Sequence, residues 1–236
     1  VVGRAGVGVD NIALDVATSL GVAIINAPAG NTVAVAELFF GAVLGLLRQL
    51  PRATHTMEAG GWDRASFMGR ELKGKTLGIW GYGKIGRLVA GYGRAFGMEV
   101  LVWGSELSRE RARADGHSAA DSCEAFFETA DVLSVHLRLD EATRGIVRLD
   151  ALSRMKPTAL FVNTSRAELV EDNALVAALN RGRPGLAAVD VFETEPILQG
   201  HPLLRLENAI CTPHIGYVEQ DSYELYFGAA FDNVVN

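Results

Sequence analysis

The chain has few cysteines and no hydrophobic run long enough to cross a bilayer. Cys123 and Cys211 are its only cysteines and form no CxxC pair, so we predict two buried reduced thiols rather than a disulfide framework or a cysteine-rich zinc site. The longest apolar run, residues 38–47, is much shorter than a membrane span and ends at Arg48. No signal peptide is visible, although a chain without its natural start does not exclude one. Reduced thiols favour a cytoplasmic protein.

An excess of positive charge is also absent. The 236 residues carry 22 Lys+Arg against 28 Asp+Glu, a net charge of −6, which argues against a nucleic-acid or anionic-membrane partner. Disorder is excluded because 49% of the residues are hydrophobic and only 21% are charged. The chain starts at Val1 without a methionine, and we expect the natural protein to carry a further segment before it.

Short apolar runs alternate with amphipathic segments over most of the chain. This alternation predicts βαβ crossovers, and the continuous apolar runs predict parallel strands buried on both faces. The fold class is therefore α/β with a doubly wound parallel sheet. The predicted strands are residues 77–80, 100–103, 132–135, 159–162, 186–189 and 209–211.

The first quarter of the chain has a different pattern. Residues 1–26 predict a short strand, a glycine-rich loop, a helix over 12–20 and a second strand over 22–25; Pro28 and Gly30 then break the chain. A helix is predicted over 33–50, stopped by Pro51. This helix is apolar on nearly every side, so either the chain's own core or a second subunit must cover it.

A glycine-rich turn follows the first strand of the predicted sheet and precedes a helix. In a dinucleotide-binding turn, Gly81 would permit the sharp turn, Gly83 would let a pyrophosphate approach, and Gly86 would allow close helix packing. The anion would lie at the helix N-terminus, where free N–H groups and the helix dipole favour negative charge. The alternative is a turn without a ligand. The motif reads Gly81-Tyr82-Gly83-Lys84-Ile85-Gly86.

The end of the next strand leaves the type of dinucleotide open. An acid that binds the adenosine ribose is expected about 20 residues after the glycines. Gly104 occupies that slot, and Glu106 lies two positions later. Ser105 and Arg109 are alternatives that would receive a 2′-phosphate, so NADP is not excluded, although Glu106 favours NAD.

Three later strands are each followed by a polar residue that suits a reaction centre. Arg166, Glu195 and His214 come after the strands predicted at 159–162, 186–189 and 209–211. Ligands of an open parallel sheet bind outside the carboxyl ends of its strands. We therefore expect these three side chains to converge on one crevice, although a single such residue on a loop is more often solvated surface.

Several motifs in this order resemble the D-isomer-specific 2-hydroxyacid dehydrogenases. The resemblance implies a Rossmann-type dinucleotide domain, an NAD(P) cofactor and interconversion of a small 2-oxo acid with its D-2-hydroxy acid. It rests on the glycine motif above and on Gly3-Arg4-Ala5-Gly6-Val7-Gly8-Val9-Asp10-Asn11, Asn26-Ala27-Pro28-Ala29-Gly30-Asn31-Thr32 with Glu37, Asn163-Thr164-Ser165-Arg166, Asp190-Val191-Phe192-Glu193-Thr194-Glu195-Pro196 and Pro213-His214.

The resemblance also implies a role for each residue of the reaction centre. His214 would be the general acid in reduction and the base in oxidation, with Glu195 hydrogen-bonded to it and favouring its protonated form. Arg166 would hold the 2-oxo acid and stabilise charge developing on its oxygen. The backbone amides of Val7 and Gly8 would bind the substrate carboxylate. No metal is implied.

Further cofactor contacts follow from the same resemblance. Asp190 would bond the nicotinamide carboxamide, Thr164 and Ser165 would contact the cofactor near Arg166, and His136 would lie at a strand end beside the cofactor crevice. The family usually has His-x-Pro there, whereas this chain has Arg138 in place of the proline.

The resemblance divides the chain into three parts. Residues 1–26 would belong to an incomplete flavodoxin-like substrate domain, 27–215 would form the dinucleotide-binding domain, and 216–236 would return to the substrate domain. A homodimer through the 33–50 helix is expected. The alternative function is that of a catalytically weak, NAD(H)-sensing regulatory protein, similar to the corepressors related to this family.

Overall fold

The computed structural model describes residues 1–27 and 31–235. Pro28 and Gly30, predicted to break the chain, and the terminal Asn236 lie outside the described residues. In the described part, seven parallel strands form one sheet: β3 (Thr76–Trp80), β4 (Glu99–Trp103), β5 (Ser118–Ala119), β6 (Val132–Val135), β7 (Leu160–Asn163), β8 (Leu186–Val189) and β9 (Ala209–Cys211). Their order across the sheet is β5-β4-β3-β6-β7-β8-β9.

This sheet confirms the predicted α/β, doubly wound class. The strand order reverses between β3 and β6, and the switch point of such a sheet is where ligands bind. The helices that connect and flank the strands are α2 (Thr32–Leu47), α3 (Leu50–Glu58), α4 (Lys84–Ala95), α5 (Glu106–Ala114), α6 (Cys123–Thr129), α7 (Leu149–Arg154) and α8 (Ala174–Asn180).

Each face of the sheet packs against its own hydrophobic core. Leu77 and Ile79 of β3 face the core formed with α2 and α4, which includes Phe39. Trp80 faces the opposite core, where Phe126 and Phe127 of α6 meet its ring edge-on. Burial on both sides is the reason that the strands have continuous apolar sequences.

A smaller sheet holds the beginning of the chain. Strands β1 (Val2–Arg4) and β2 (Ile24–Asn26) pair in parallel, and α1 (Leu14–Ser19) connects them. The last helix, α9 (Gln220–Val235), packs against β1 so closely that a Cβ on Gly3 would lie 2.8 Å from Val234. The two ends of the chain therefore lie together.

The structure corrects the prediction that Pro51 ends one long helix over 33–50. Helix α2 ends at Leu47, the chain turns through Gln49 in the left-handed region (φ 52°), and α3 begins at Leu50. Pro51 lies in the first turn of α3, where its missing N–H has no intrahelical partner to lose. Most of α2 is buried within the chain, while Val33, Glu37 and Gly41 form an exposed strip.

Two further features differ from the expectations or add to them. Edge strand β5 was not predicted, because two residues, Ser118 and Ala119, carry no apolar pattern. Cys123 and Cys211 are unpaired in the described residues but half-buried rather than fully buried.

Within residues 1–27 and 31–235 no single helix is long and apolar enough to span a membrane. Helices α2 and α3, which are separated by a bend, reach the required length and composition only when they are taken together.

Candidate active site

The glycine turn (residues 81–86) has the backbone that a dinucleotide cradle requires. Gly81 has φ 99°, and a Cβ there would lie 2.5 Å from the carbonyl oxygen of His136. A Cβ on Gly86 would lie 2.2 Å from the carbonyl oxygen of Gly81, so close packing of α4 on the turn needs glycine. A Cβ on Gly83 would meet no atom within 4 Å among the described residues, so Gly83 faces open space at the start of α4.

The other side chains of the turn differ in their exposure to solvent. Lys84 is exposed and Ile85 half-buried. Tyr82 is buried, and its hydroxyl donates a hydrogen bond to Asp115 at 3.0 Å. Burial and that carboxylate raise the pKa of Tyr82 to about 12. The Tyr82 side chain therefore packs in the protein, and only its backbone is available to a ligand of the turn.

The end of β4 carries a charged cluster in place of a single acid. The Ser105 side chain accepts from the Ser108 N–H and caps α5. Glu106 pairs with Arg109 at 2.5 Å and with Arg113 at 3.2 Å. The Arg109 guanidinium lies over the Trp103 ring, 5.0 Å from its centroid. Because both arginines engage the Glu106 carboxylate, the cluster as a whole is not acidic.

The loop after β7 is organised by a buried asparagine that the sequence analysis did not single out. The side-chain oxygen of Asn163 accepts from the Ser165 N–H at 3.0 Å, and its nitrogen donates to the Arg166 carbonyl at 2.8 Å. The Ser165 hydroxyl donates to the Val135 carbonyl at 2.9 Å. Thr164 Oγ1 is buried without a hydrogen-bond partner in the described residues, which leaves a polar atom for a ligand at the predicted cofactor position.

His136 lies at the end of β6, as predicted, but its imidazole points into the protein. Nε2 lies 2.8 Å from Ser134 Oγ, the ring packs edge-on near Phe39 of α2, and Nδ1 has no partner in the described residues. Burial lowers the pKa of His136 to about 4, so the ring is neutral at pH 7. The carbonyl oxygen of His136 is the atom that lies nearest a Cβ built on Gly81 of the glycine turn.

The three predicted reaction-centre residues line one cavity of about 490 Å³, which we call the polar cavity. Strands β7, β8 and β9 are neighbours and parallel, so the loops that follow them leave the same edge of the sheet. Val7 and Gly8 line the cavity from the N-terminal segment. The lining also includes Arg166, Glu195, His214, Arg4, Asp10, Tyr217 and Tyr226.

His214 and Glu195 form a hydrogen-bonded pair. Nδ1 of His214 lies 2.8 Å from Oε2 of Glu195, and Oε1 of Glu195 accepts from the Phe192 N–H at 3.0 Å. The pair is half-exposed on the cavity side, with side-chain exposures of 30% for His214 and 38% for Glu195. With Nδ1 held by the carboxylate, Nε2 is the nitrogen left for proton exchange with a ligand.

Asp190 holds the segment that carries His214. Its carboxylate, 2% exposed as a residue, accepts from the Ile215 N–H at 2.9 Å, the Gly216 N–H at 2.8 Å and the Thr212 hydroxyl. These bonds surround His214, whose backbone is in the left-handed region at φ 52°. Asp190 therefore positions the histidine loop, in addition to its predicted contact with the nicotinamide.

Arg166 is held by an acid that the sequence analysis did not single out. Asp10 accepts from Nε of Arg166 at 2.9 Å and from Nη2 at 3.0 Å. Nearby, the carbonyls of the N-terminal loop are engaged: Gly8 O accepts from Arg4, and Val7 O from Asn26. In the described residues the amides of Val7 and Gly8 form no hydrogen bond, so they are available to an anion.

Sequence reasoning also missed an aromatic cluster beside His214. Tyr217 meets the His214 ring edge-on at 5.5 Å, and Tyr223 and Tyr226 of α9 extend the cluster. Tyr226 is 3% exposed, its hydroxyl has no partner in the described residues, and burial beside Tyr223 raises its pKa to about 12. Three tyrosines within ten residues were the available signal.

Comparison with known proteins finds a matching family model and several similar proteins. Residues 40–216 match the family model described as the NAD binding domain of D-isomer specific 2-hydroxyacid dehydrogenases. The D-3-phosphoglycerate dehydrogenase of Methanocaldococcus jannaschii is 42% identical over 216 residues, which is 92% of this chain and 41% of that protein. The chain thus spans less than half the length of this relative.

Solved structures extend the likeness to nearly the whole chain. A phosphoglycerate oxidoreductase from Vibrio cholerae has a TM-score of 0.92 and 49% identity, covering 99% of this chain and 75% of that one. The D-lactate dehydrogenase of Aquifex aeolicus, complexed with NAD and lactic acid, has a TM-score of 0.89 and 31% identity, covering 98% and 74%.

Proposed function

Because the chain belongs to the D-isomer specific 2-hydroxyacid dehydrogenase family, we propose that it interconverts a small 2-oxo acid and its D-2-hydroxy acid with NAD(H). The observation that carries the proposal is the His214–Glu195 pair, 2.8 Å apart, in the same cavity as Arg166 and the amides of Val7 and Gly8. A proton donor, a fixed cation and free backbone donors are what reduction of a 2-oxo acid requires.

His214 supplies the proton in this proposal. When the dinucleotide is bound, it supplies the hydride that adds to the substrate carbonyl carbon. The carbonyl oxygen then takes the proton from Nε2 of His214, and Glu195 stabilises the protonated imidazole through Nδ1. In the oxidation of the hydroxy acid, neutral His214 accepts that proton again.

Arg166 and the N-terminal loop orient the substrate. The substrate carboxylate lies against the Val7 and Gly8 amides, and the Arg166 guanidinium donates to the 2-oxo group. Donors that are already fixed before the reaction stabilise the developing negative charge without reorganising. The positive charge of Arg166 also favours an anionic substrate over a neutral ketone.

The glycine turn and the β7 loop are the proposed cofactor contacts. The open position at Gly83, the α4 N-terminus and the unpartnered Thr164 hydroxyl fit a bound dinucleotide. Backbone groups of Tyr82 and Ser165, the side chain of Lys84 and the carboxylate of Asp190 complete the set. The paired state of Glu106 keeps NADP(H) as the alternative to NAD(H).

The domain division remains part of the proposal. Residues 1–26 and 216–236 would form the substrate-domain part, supported by the packing of α9 on β1, and 27–215 the dinucleotide domain. A homodimer would use the exposed strip of α2 at Val33, Glu37 and Gly41.

Turnover measurements test the proposed function. The full-length protein is mixed with NADH or NADPH and a panel of 2-oxo acids, and loss of the reduced nicotinamide absorbance is followed. We expect oxidation well above background with at least one acid, and a fall of about 10³-fold in kcat for His214→Ala.

Two results would contradict the proposal. One is the absence of turnover with both cofactors despite cofactor binding measured by calorimetry, which supports the regulatory function instead. The other is a His214→Ala variant that is as active as the wild type. Thr54→Ala, an exposed change on α3 far along the chain from the cavity residues, is the matched control and should leave turnover unchanged.

A further inference from the structure

We propose that Asp10 is a positioning residue for Arg166: it binds one edge of the guanidinium and leaves the other edge free for the 2-oxo acid. The inference rests on the proposed function, because it assigns a role within the same reaction. It adds a residue from the N-terminal segment to the group formed by His214, Glu195 and Arg166. Asp10 would act through Arg166 and not directly on the reacting atoms.

The argument starts from the hydrogen-bonding capacity of the arginine. A guanidinium has five N–H groups in a rigid plane. Asp10 takes the Nε proton and one Nη2 proton, which lie on the same edge, at 2.9 and 3.0 Å. The Ser165 carbonyl takes one Nη1 proton at 2.7 Å. One proton on Nη1 and one on Nη2 have no partner among the described residues, and the Nη2 proton lies on the end edge of the plane. In this proposal the free Nη1 proton lies on the same edge, with the Ser165 carbonyl bound to the Nη1 proton that faces Cδ.

That end edge is suited to bidentate recognition. Two parallel N–H groups fit two oxygen atoms of a planar anion, here the 2-oxo oxygen and one carboxylate oxygen of the substrate; the other carboxylate oxygen is left for the Val7 and Gly8 amides. Without Asp10, the Nε edge is an equally good partner for the same oxygens. The substrate would then have two ways to bind Arg166, and only one of them directs the carbonyl carbon towards a fixed place.

The backbone around Asp10 is built for this pair. A Cβ on Gly8 would lie 2.1 Å from Nη2 of Arg166 and 2.8 Å from Oδ1 of Asp10. Glycine at this position therefore makes room for the Arg166–Asp10 pair, as well as for a substrate at its amide. Arg4 holds the Gly8 carbonyl at 3.1 Å, which fixes the loop that leads to Asp10.

The pair also joins two distant parts of the chain. Asp10 follows β1, whereas Arg166 follows β7 of the large sheet. Both side chains are about 70% covered, with exposures of 30% and 27%. Arg166 holds the pKa of Asp10 below its usual value, so the acid is charged at neutral pH. A charged Asp10 opposes an anionic substrate by charge alone, which makes orientation its useful contribution.

These two effects of Asp10 predict opposite results when it is neutralised. If its charge dominates, Asp10→Asn binds a 2-oxo acid more tightly. If orientation dominates, as we propose, Asp10→Asn binds more weakly, because the asparagine NH₂ group faces a donor of Arg166 and breaks one bond of the pair.

Calorimetric binding of oxamate, a planar 2-oxo acid analogue that accepts no hydride, tests this directly. The probe is titrated into the NADH-loaded full-length protein for the wild type, Asp10→Asn, Arg166→Lys and the double variant. We expect the Kd to rise about tenfold in Asp10→Asn but less than about twofold when the same change is made in Arg166→Lys, since lysine has no second edge. KM should rise more than kcat falls.

The control is Asp15→Asn, the same chemical change at an exposed site on α1. Unchanged Kd in Asp10→Asn, a tighter Kd, or an equal loss in both Arg166 backgrounds would overturn the inference. Absence of oxamate binding in the wild type would overturn it too. Turnover separates the two proposals: oxamate binding with the expected coupling but no turnover contradicts the proposed function, yet still shows that Asp10 orients a bound 2-oxo acid on Arg166.

Discussion

The glycine turn and the polar cavity are built in opposite ways. The turn is six consecutive residues, and its shape follows from backbone freedom at Gly81 and Gly86, where any side chain would meet a carbonyl oxygen. The cavity is lined mainly by the segments that follow β1, β7, β8 and β9, together with Tyr226 of α9. A local motif can therefore encode the first, whereas the second exists only after the sheet has formed.

The same difference affects what a substitution does. In the turn, a change acts through steric exclusion, so the size of the added group decides the effect. In the cavity, a change acts through a hydrogen bond between two distant loops, as in the His214–Glu195 and Arg166–Asp10 pairs. We therefore expect cavity substitutions to alter chemistry and turn substitutions to alter stability or cofactor affinity.

The largest effect is expected for Glu195→Gln in the cavity. The amide removes the negative charge beside His214 Nδ1 while keeping the volume, so the protonated imidazole loses its stabilising partner. We expect kcat to fall about 10³-fold, measured by steady-state kinetics with the best 2-oxo acid of the panel.

Glu193→Gln is the matched control for that prediction. Glu193 is two residues away and also lines the polar cavity, but its carboxylate lies 3.4 Å from Nε2 of His201. A similar loss of kcat in both variants would show that the loop, and not the His214–Glu195 pair, carries the effect.

A pair of alanine substitutions in the glycine turn separates folding from binding. Gly86→Ala should lower the free energy of unfolding by about 3 kcal/mol, because its Cβ would lie 2.2 Å from the Gly81 carbonyl oxygen. Gly83→Ala meets open space and should change it by less than about 0.5 kcal/mol, while weakening NADH binding. Urea unfolding and NADH calorimetry measure the two quantities; equal destabilisation would contradict the assignment.

A smaller effect is expected from His136, which lies behind the glycine turn. Its pKa is about 4 in the folded protein and about 6.5 when unfolded, so the unfolded chain binds more protons between these values. The free energy of unfolding should therefore fall as the pH drops through this window, by about 2 kcal/mol between pH 7 and pH 4.5. Urea unfolding at several pH values measures it.

The comparison variants for that titration are His136→Gln and His55→Gln. The first removes the buried titrating ring and should flatten the pH dependence between about pH 6.5 and 4. The second changes a histidine whose side chain is 86% exposed and should leave the slope unchanged. An unaltered slope in His136→Gln would contradict the prediction.

The large sheet was predictable from the sequence because its strands are buried on both faces. The predicted runs at 132–135, 186–189 and 209–211 coincide with β6, β8 and β9. The convergence of Arg166, Glu195 and His214 also followed from one rule, since the carboxyl ends of parallel strands meet at one edge.

The features that were missed depend on contacts between distant residues. A proline is compatible both with the end of one helix and with the first turn of the next. The left-handed turn at Gln49 shows that Pro51 lies in the first turn of α3. Edge strand β5 is defined by its pairing with β4 rather than by its composition. Asp10 was visible in the motif, yet nothing local connects it with Arg166.

The order of residues along the chain was enough to predict the class of fold, the glycine turn and the residues that meet at the sheet edge. Periodicity and glycine placement are local properties, so they can be seen along the chain. The tertiary structure alone decided how these residues are held: Asp10 on Arg166, Glu195 on His214, Asp190 around the histidine loop, and the His136 ring in the interior. Hydrogen bonds between separate loops depend on distance and direction in three dimensions, which spacing along the chain does not contain.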